Sequence, residues 1–284
     1  MEGDGFAKST NFKAQSTNVM KFLIFGDVVG KPGREAVSRA LPEMREEYQP
    51  DSVIINIENS AGNGRGVSQG AWKDAQAWQA DVYTTGDHAW DNKQGTQLMQ
   101  EAGSPIIRPA NYPPGVPGRG WHVFTQGAWR VAVINLQGQV FFKNHPDNPF
   151  RVMDELLKTP DIAEANIRLV DFQAEATSEK RAMGWYLDGR VSAMWGTHTH
   201  VPTADAQILP KGTGYISDIG MNGNLESIIG IDRAQPIRQF ITQVKDQYKV
   251  GDAGPKEIGA LLLDIDPTTG RTENIAHIRK ILQD

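Results

Sequence analysis

Two imidazoles one residue apart, His198 and His200, close the segment Trp195-Gly196-Thr197-His198-Thr199-His200 directly behind an apolar run. In extended backbone alternate side chains share a face, so both rings can reach one ion or two neighbouring ions. A His-x-His pair by itself serves as well for hydrogen bonding within a loop, so the assignment depends on what meets it. Carboxylates, amides and another imidazole recur at matching places. Asp27 follows the apolar run 21–26, Glu58 and Asn59 follow 52–57, Asp87 and His88 follow 82–85, and Gln173 follows 167–172. Each residue also has an ordinary structural role open to it: Asp27 can cap a helix, Asn59 can hold a tight turn, and Asp87 can bond the backbone after it. Those roles do not explain why all of them stand at the same end of an apolar run.

Carboxylates and imidazoles without thiolates suit one or two divalent cations such as Mn²⁺, Fe²⁺ or Zn²⁺. Two such ions about 3.5–4 Å apart, bridged by a carboxylate, polarise a phosphoryl oxygen and hold a hydroxide for in-line attack. An unligated imidazole then protonates the leaving oxygen. His88 fits that task because it follows a potential ligand directly and cannot easily face the same ion. Asp87 beside it suits a proton donor.

The apolar runs read as buried strands. Between them the sequence predicts a helix from Pro32 to about Tyr48 with a kink at Pro42, and a helix capped by Ser68 and running through Trp78. Residues 121–124 and 129–136 pair as antiparallel strands about Gly127. Another helix opens at Pro149, and 258–265 with 275–281 form a closing hairpin across Pro267-Thr268-Thr269-Gly270. Alternating strands and helices give an α/β fold, whose ligands gather outside the carboxyl ends of the strands.

The chain has 284 residues, 39% of them hydrophobic and 22% charged, with a net charge of -5. These values fit a soluble globular protein and argue against broad nucleic-acid coating. Cysteine is absent, which removes disulfides, thiolate metal sites and a cysteine nucleophile, and fits a cytoplasmic location. No apolar segment approaches the roughly 20 residues that span a bilayer, so no membrane association is expected. Residues 1–19 are polar and read as a disordered extension or tag, with 20–284 as a single domain. A homo-oligomer is compatible with all of this.

Five segments together carry a resemblance: 26–34 (Gly-Asp-Val-Val-Gly-Lys-Pro-Gly-Arg), 58–62 (Glu-Asn-Ser-Ala-Gly), 108–112 (Arg-Pro-Ala-Asn-Tyr), 174–180 (Ala-Glu-Ala-Thr-Ser-Glu-Lys) and 196–200 (Gly-Thr-His-Thr-His). As a set, from about Met20 to the end, the chain resembles the bacterial 2′,3′-cyclic-nucleotide 2′-phosphodiesterases of the calcineurin-like metallophosphoesterase superfamily. The resemblance implies a four-layer α/β/β/α sandwich with a dinuclear Fe or Mn centre. Asp27, Glu58, Asn59 and His200 would hold the first ion. Glu58 would bridge to a second held by Asp87, Gln173 and His198, with His88 as general acid. The implied substrate is a small nucleotide phosphodiester, opened at its 2′ bond to leave a 3′-nucleotide.

Two positions depart from the family pattern, which has Asn where this chain has Asp87 and His where it has Gln173. A carboxylate added and an imidazole lost harden the second position, so the sequence predicts a shift towards Mn²⁺ or Mg²⁺ with a looser second ion. His145 is the residue expected to supply a replacement imidazole, from a loop over the pocket. Arg65 and Asn111, with Lys31 and Arg108, are the expected substrate contacts, and Glu179 with Lys180 an ion pair on a helix face. Two rival readings remain. Gly66-Val67-Ser68-Gln69-Gly70 matches the elbow of serine hydrolases, although Ser68 serves naturally as a helix cap. The chain could also be a catalytically weakened nucleotide- or partner-binding protein that keeps the fold and one metal.

Overall fold

The computed structural model describes residues 19–283, so the expected N-terminal extension lies outside it except for its last residue. The chain begins β1 (Met20–Phe25), β2 (Asp27–Val28), α1 (Gly30–Tyr48), β3 (Ser52–Asn56), α2 (Gln69–Ala77), β4 (Val82–Thr84) and α3 (Lys93–Gln100). It continues β5 (Trp121–Gln126), β6 (Trp129–Gln137), α4 (Pro149–Leu156), α5 (Pro160–Ala163), β7 (Ile167–Gln173), α6 (Thr177–Leu187), β8 (Ala193–Thr197), β9 (Gln207–Ile208) and β10 (Gly214–Ile216). It returns through β11 (Met221–Asn224) and α7 (Ala234–Thr242) to the hairpin β12 (Lys256–Asp266) and β13 (Arg271–Leu282).

Two sheets result. One has the order β2-β11-β12-β1-β3-β4, with β13 also on β12; the other has the order β5-β6-β7-β8-β10-β9. Strands β1, β3 and β4 are parallel, as are β6, β7, β8 and β10. The chain-terminal hairpin closes the first sheet because β12 lies antiparallel to β1, with Phe25 opposite Ala260. Its turn is held by the Asp266 carboxylate, which accepts the Thr268 N–H at 2.9 Å and the Thr269 hydroxyl at 2.8 Å.

Alternation along the strands sets the layers, since successive side chains point to opposite faces. Phe22, Ile24, Ile54 and Val82 of the first sheet meet Val133, Leu169, Trp195 and Ile216 of the second in one buried core. Leu23, Phe25, Val53 and Ile55 face the other way and pack against Val37, Leu41 and Met44 of α1 and Trp72 of α2. Ala132, Ile134, Val170 and Met194 form the third core with Met153 of α4 and Met183 of α6. Three apolar interfaces separate four layers, helix, sheet, sheet and helix, so the fold is the expected α/β/β/α sandwich.

Local differences from the sequence reading have physical causes. Helix α1 starts at Gly30 and runs through Pro42 without interruption, since Pro42 is on the exposed side. Strands β9, β10 and β11 are too short to show a period of their own, and α7 carries Ile237, Phe240 and Ile241 on an exposed face. Ser68 caps α2, its hydroxyl accepting the Ala71 N–H at 3.2 Å. That removes the geometric basis for a nucleophile elbow.

Candidate metal centre

Asp27, Glu58, Gln173, His198 and His200 come together at the carboxyl ends of β1, β3, β7 and β8, with Asn59 next to Glu58 in the chain. Close backbone approach delivers them: a Cβ on Gly26 would lie 1.9 Å from the Gly220 carbonyl, so only glycine lets β1 pass that point. The histidine pair sits on strained backbone, with φ of 96° at His198 and 64° at His200, a conformation that costs about 1–3 kcal/mol for each non-glycine residue. Thr199 between them is clamped by Asp218, whose Oδ2 accepts the Thr199 hydroxyl at 2.7 Å and its N–H at 3.2 Å. The same oxygen accepts from Lys180 Nζ at 2.6 Å in a fully buried pair.

The first half of the cluster has unused ligand atoms. Asp27 Oδ1 and Asn59 Oδ1 are buried without a hydrogen-bond partner among the described residues. Asn59 Nδ2 donates to the Gly64 carbonyl at 3.0 Å, which leaves its oxygen as the unused atom of that amide. His200 Nδ1 lies 2.9 Å from the Ile229 carbonyl. A carbonyl only accepts, so Nδ1 carries a proton directed at Ile229, while Nε2 faces Asp27 Oδ1 at 3.8 Å. Burial pushes the Asp27 carboxyl up, and it pushes Glu58 well above the usual carboxylate range, with the charges of Asp87 and Asp27 adding to the effect on Glu58. A divalent ion reverses that electrostatic cost, so these donors fit one.

The second half is occupied by its own hydrogen bonds. Gln173 Nε2 donates to Glu58 Oε1 at 2.5 Å and Asp87 Oδ1 at 2.7 Å, and lies 3.2 Å from His198 Nδ1. Its Oε1 accepts the Asp87 N–H at 2.7 Å. His198 Nε2 is 3.2 Å from Glu175 Oε2, and burial lowers the pKa of the ring. Phe142 covers that ring at 4.7 Å between centroids. His88 is tied in by its backbone N–H to Glu58 Oε2 at 3.3 Å, while its Nδ1 meets Asp91 Oδ2 at 2.9 Å. The carboxylate that orients this ring is therefore that of Asp91; Asp87 turns to Gln173 and His198.

Several expected contacts do not reach the cluster. Asn111 is buried with every polar atom of its side chain engaged: Nδ2 donates to the carbonyls of Gln137 and Asp147, and Oδ1 accepts the Gln137 N–H. It stitches loops together and has no donor left for a substrate. Arg108 directs Nη1 and Nη2 to the Pro109 and Gly118 carbonyls, and Lys31 lies beside Glu35. Arg65 is exposed in the loop that holds Asn59 and makes no side-chain hydrogen bond or ion pair among the described residues, so it keeps its charge for a ligand. His145 is exposed and has no contact with the cluster. Glu179 and Lys180 do not pair. Adjacent helix positions point apart, and Glu179 accepts the N–H groups of Gln139 and Val140 while Lys180 reaches Asp218.

Beneath the cluster, Asp171 joins the sheets. Its carboxylate accepts Thr84 Oγ1 at 2.5 Å and Asn56 Nδ2 at 3.3 Å from the first sheet, and Thr197 Oγ1 at 2.7 Å from its own. Burial raises its pKa to about 7 against 3.8 for the ordinary group, the three hydrogen bonds opposing the rise. The folded state therefore binds this proton more tightly than the unfolded one. The associated stability is complete below about pH 3.8 and is lost as pH rises to about 7, by roughly 4 kcal/mol. Asp171→Asn, which keeps the shape and has no charge to bury, is expected to flatten this dependence and to be the more stable protein near pH 8. Denaturant titrations of both proteins with chelator present measure this; parallel pH curves would contradict it.

A family model described as "YmdB-like protein" matches residues 23–278. The chain belongs to the YmdB-like family. A Bacillus subtilis member named "2′,3′-cyclic-nucleotide 2′-phosphodiesterase" is 43% identical over 91% of this chain and 96% of its own length. Two crystal structures share the fold closely. One, described as a novel phosphatase from Mycoplasma pneumoniae, superposes with a TM-score of 0.87 at 32% identity, covering 94% of this chain and 95% of that one. A hypothetical protein from Thermus thermophilus gives 0.86 at 38% identity, covering 93% and 100%. The resemblance read from the five motifs is thus a family relationship over nearly the whole described chain. No helix among the described residues is long and apolar enough to cross a membrane.

Proposed function

We propose that this YmdB-like protein is a metal-dependent phosphodiesterase that opens 2′,3′-cyclic nucleotides at the 2′ bond and leaves 3′-nucleotides. The observation that carries the reading is Asp27 Oδ1, buried without a hydrogen-bond partner among the described residues and 3.8 Å from His200 Nε2, with the buried Glu58 carboxyl near enough for the Asp27 charge to act on it. The name of the Bacillus subtilis relative supplies the substrate class.

Asp27, Glu58, Asn59 and His200 would hold a divalent cation, Mn²⁺ or Fe²⁺ by donor type. When bound, it supplies positive charge to a phosphoryl oxygen and lowers the pKa of water. The remaining work falls to the chain. Asp91 fixes the His88 ring through Nδ1, which turns Nε2 outward as the atom that gives a proton to the departing 2′ oxygen. The bond from phosphorus to the 2′ oxygen breaks as the bond to the incoming water oxygen forms. Asp218 keeps the His198–His200 turn in place through Thr199, and Arg65 offers its charge to the phosphate from the rim.

Incubation of the full chain with 2′,3′-cyclic AMP and Mn²⁺ is expected to yield 3′-AMP, and chelator is expected to stop the reaction. Release of 2′-AMP, or turnover indifferent to chelator, would overturn the assignment.

A further inference from the structure

The carboxamide of Gln173 has only one sensible orientation. Oε1 accepts the backbone N–H of Asp87 at 2.7 Å, so Nε2 must point the other way, to Glu58 Oε1 at 2.5 Å, Asp87 Oδ1 at 2.7 Å and His198 Nδ1 at 3.2 Å. Turning it over would set an amide oxygen against two carboxylate oxygens and an NH₂ against an N–H, three repulsive contacts in place of the attractive ones. His198 borders the recess, its Nδ1 3.2 Å from Gln173 Nε2 and its Nε2 3.2 Å from Glu175 Oε2. The recess exists because residue 86 is glycine: a Cβ there would lie 2.0 Å from Gln173 Cδ and Oε1.

Among the described residues, Glu58, Asp87 and His198 are also the three acidic or imidazole residues whose ligand atoms all lie within 4.8 Å of one another. An ion held by the same atoms would need about 2.0–2.3 Å to each, and Nε2 already fills that volume. We propose that the Gln173 amide nitrogen replaces a second cation, so that this chain carries a mononuclear centre at Asp27, Glu58, Asn59 and His200. The inference rests on reading the cluster as a metal centre. The two departures from the family pattern then form one unit: Gln173 supplies the hydrogens, and Asp87 supplies a charged acceptor for them and a backbone N–H that fixes their direction. The two amide hydrogens go to the two carboxylate oxygens, the shorter contacts, so those acceptors are engaged without an ion, which differs from a second ion merely held loosely by an amide oxygen.

The test is stoichiometry and magnetism. The full-length protein, Gln173→His and Gln173→Ala are saturated with MnCl₂ alone, passed through a desalting column, and measured for manganese per chain and by electron paramagnetic resonance. The parent is expected to hold one Mn²⁺ with the hyperfine pattern of an isolated ion. Gln173→His is expected to hold two with an exchange-coupled spectrum, and Gln173→Ala to take up its second ion only at higher MnCl₂. Two coupled ions in the parent, or one ion in all three proteins, would overturn the proposal. A parent with no bound Mn²⁺ would instead overturn the metal-centre reading beneath it, so the two failures are distinguishable.

Discussion

His88→Ala is expected to lower turnover of a 2′,3′-cyclic nucleotide by about 10²–10⁴-fold, the usual contribution of a positioned proton donor. The thermal midpoint should barely move, because the ring is partly exposed and its one side-chain bond is to Asp91, itself at the surface. The loss should fall on kcat with KM little changed, since a group that acts only as the leaving oxygen departs contributes to the transition state and hardly to ground-state binding. Asp91→Asn should give an intermediate loss, because it removes the charge that orients the ring and leaves the ring in place. Initial rates of the three proteins with saturating Mn²⁺ measure this. Rates that are equal and negligible throughout would shift the assignment to a nucleotide- or partner-binding protein on the same fold.

Lys180→Met should produce the largest change in stability. Lys180 and Asp218 are a buried ion pair at 2.6 Å, with side-chain exposures of 1% and 0%. Removing the ammonium strands a buried carboxylate, a defect that costs about 3–5 kcal/mol. In a protein of this size that corresponds to a fall of roughly 10 °C in the thermal midpoint. The effect should reach the metal centre, because the same Asp218 oxygen holds the Thr199 N–H and hydroxyl between the two histidines. Without that clamp the strained backbone at His198 and His200 can relax, and Mn²⁺ affinity should fall with stability. Adding Asp218→Asn to Lys180→Met should recover part of the midpoint, since the stranded charge is gone. A single variant that melts within about 1 °C of the parent would contradict the buried-charge argument.

The strand ends were legible because two independent signals coincide in the sequence: a run of apolar residues that must be buried, and a carboxylate, amide or imidazole that stops it. Asp27, Glu58, Asn59, Asp87 and His198 each stand at such a stop. Residues whose partners lie far along the chain were not legible. Lys180 and Glu179 are neighbours in sequence, yet one reaches Asp218 and the other the amides of Gln139 and Val140. Asn111 stands in a polar segment that invites a substrate role, and three backbone contacts across the fold consume it. Asp171, inside the apolar run 167–172, is the hydrogen-bonded pin between the sheets because Thr84 and Asn56 arrive from the other one.

Sequence by itself determined which side chains could meet, since hydrophobic periodicity decides what is buried and therefore which chain positions emerge at one edge of a sheet. It determined the donor types as well: oxygen and imidazole, with no sulfur. Tertiary structure alone decided how each donor is spent. An amide such as that of Gln173 presents either an acceptor or two donors, and only the neighbouring Asp87 N–H, set by the approach of β4 to β7, chooses between them. The same holds for His200, whose Nδ1 proton is directed by the Ile229 carbonyl, far from it in the chain. Composition and spacing name the ligand atoms, and hydrogen-bond geometry assigns their lone pairs.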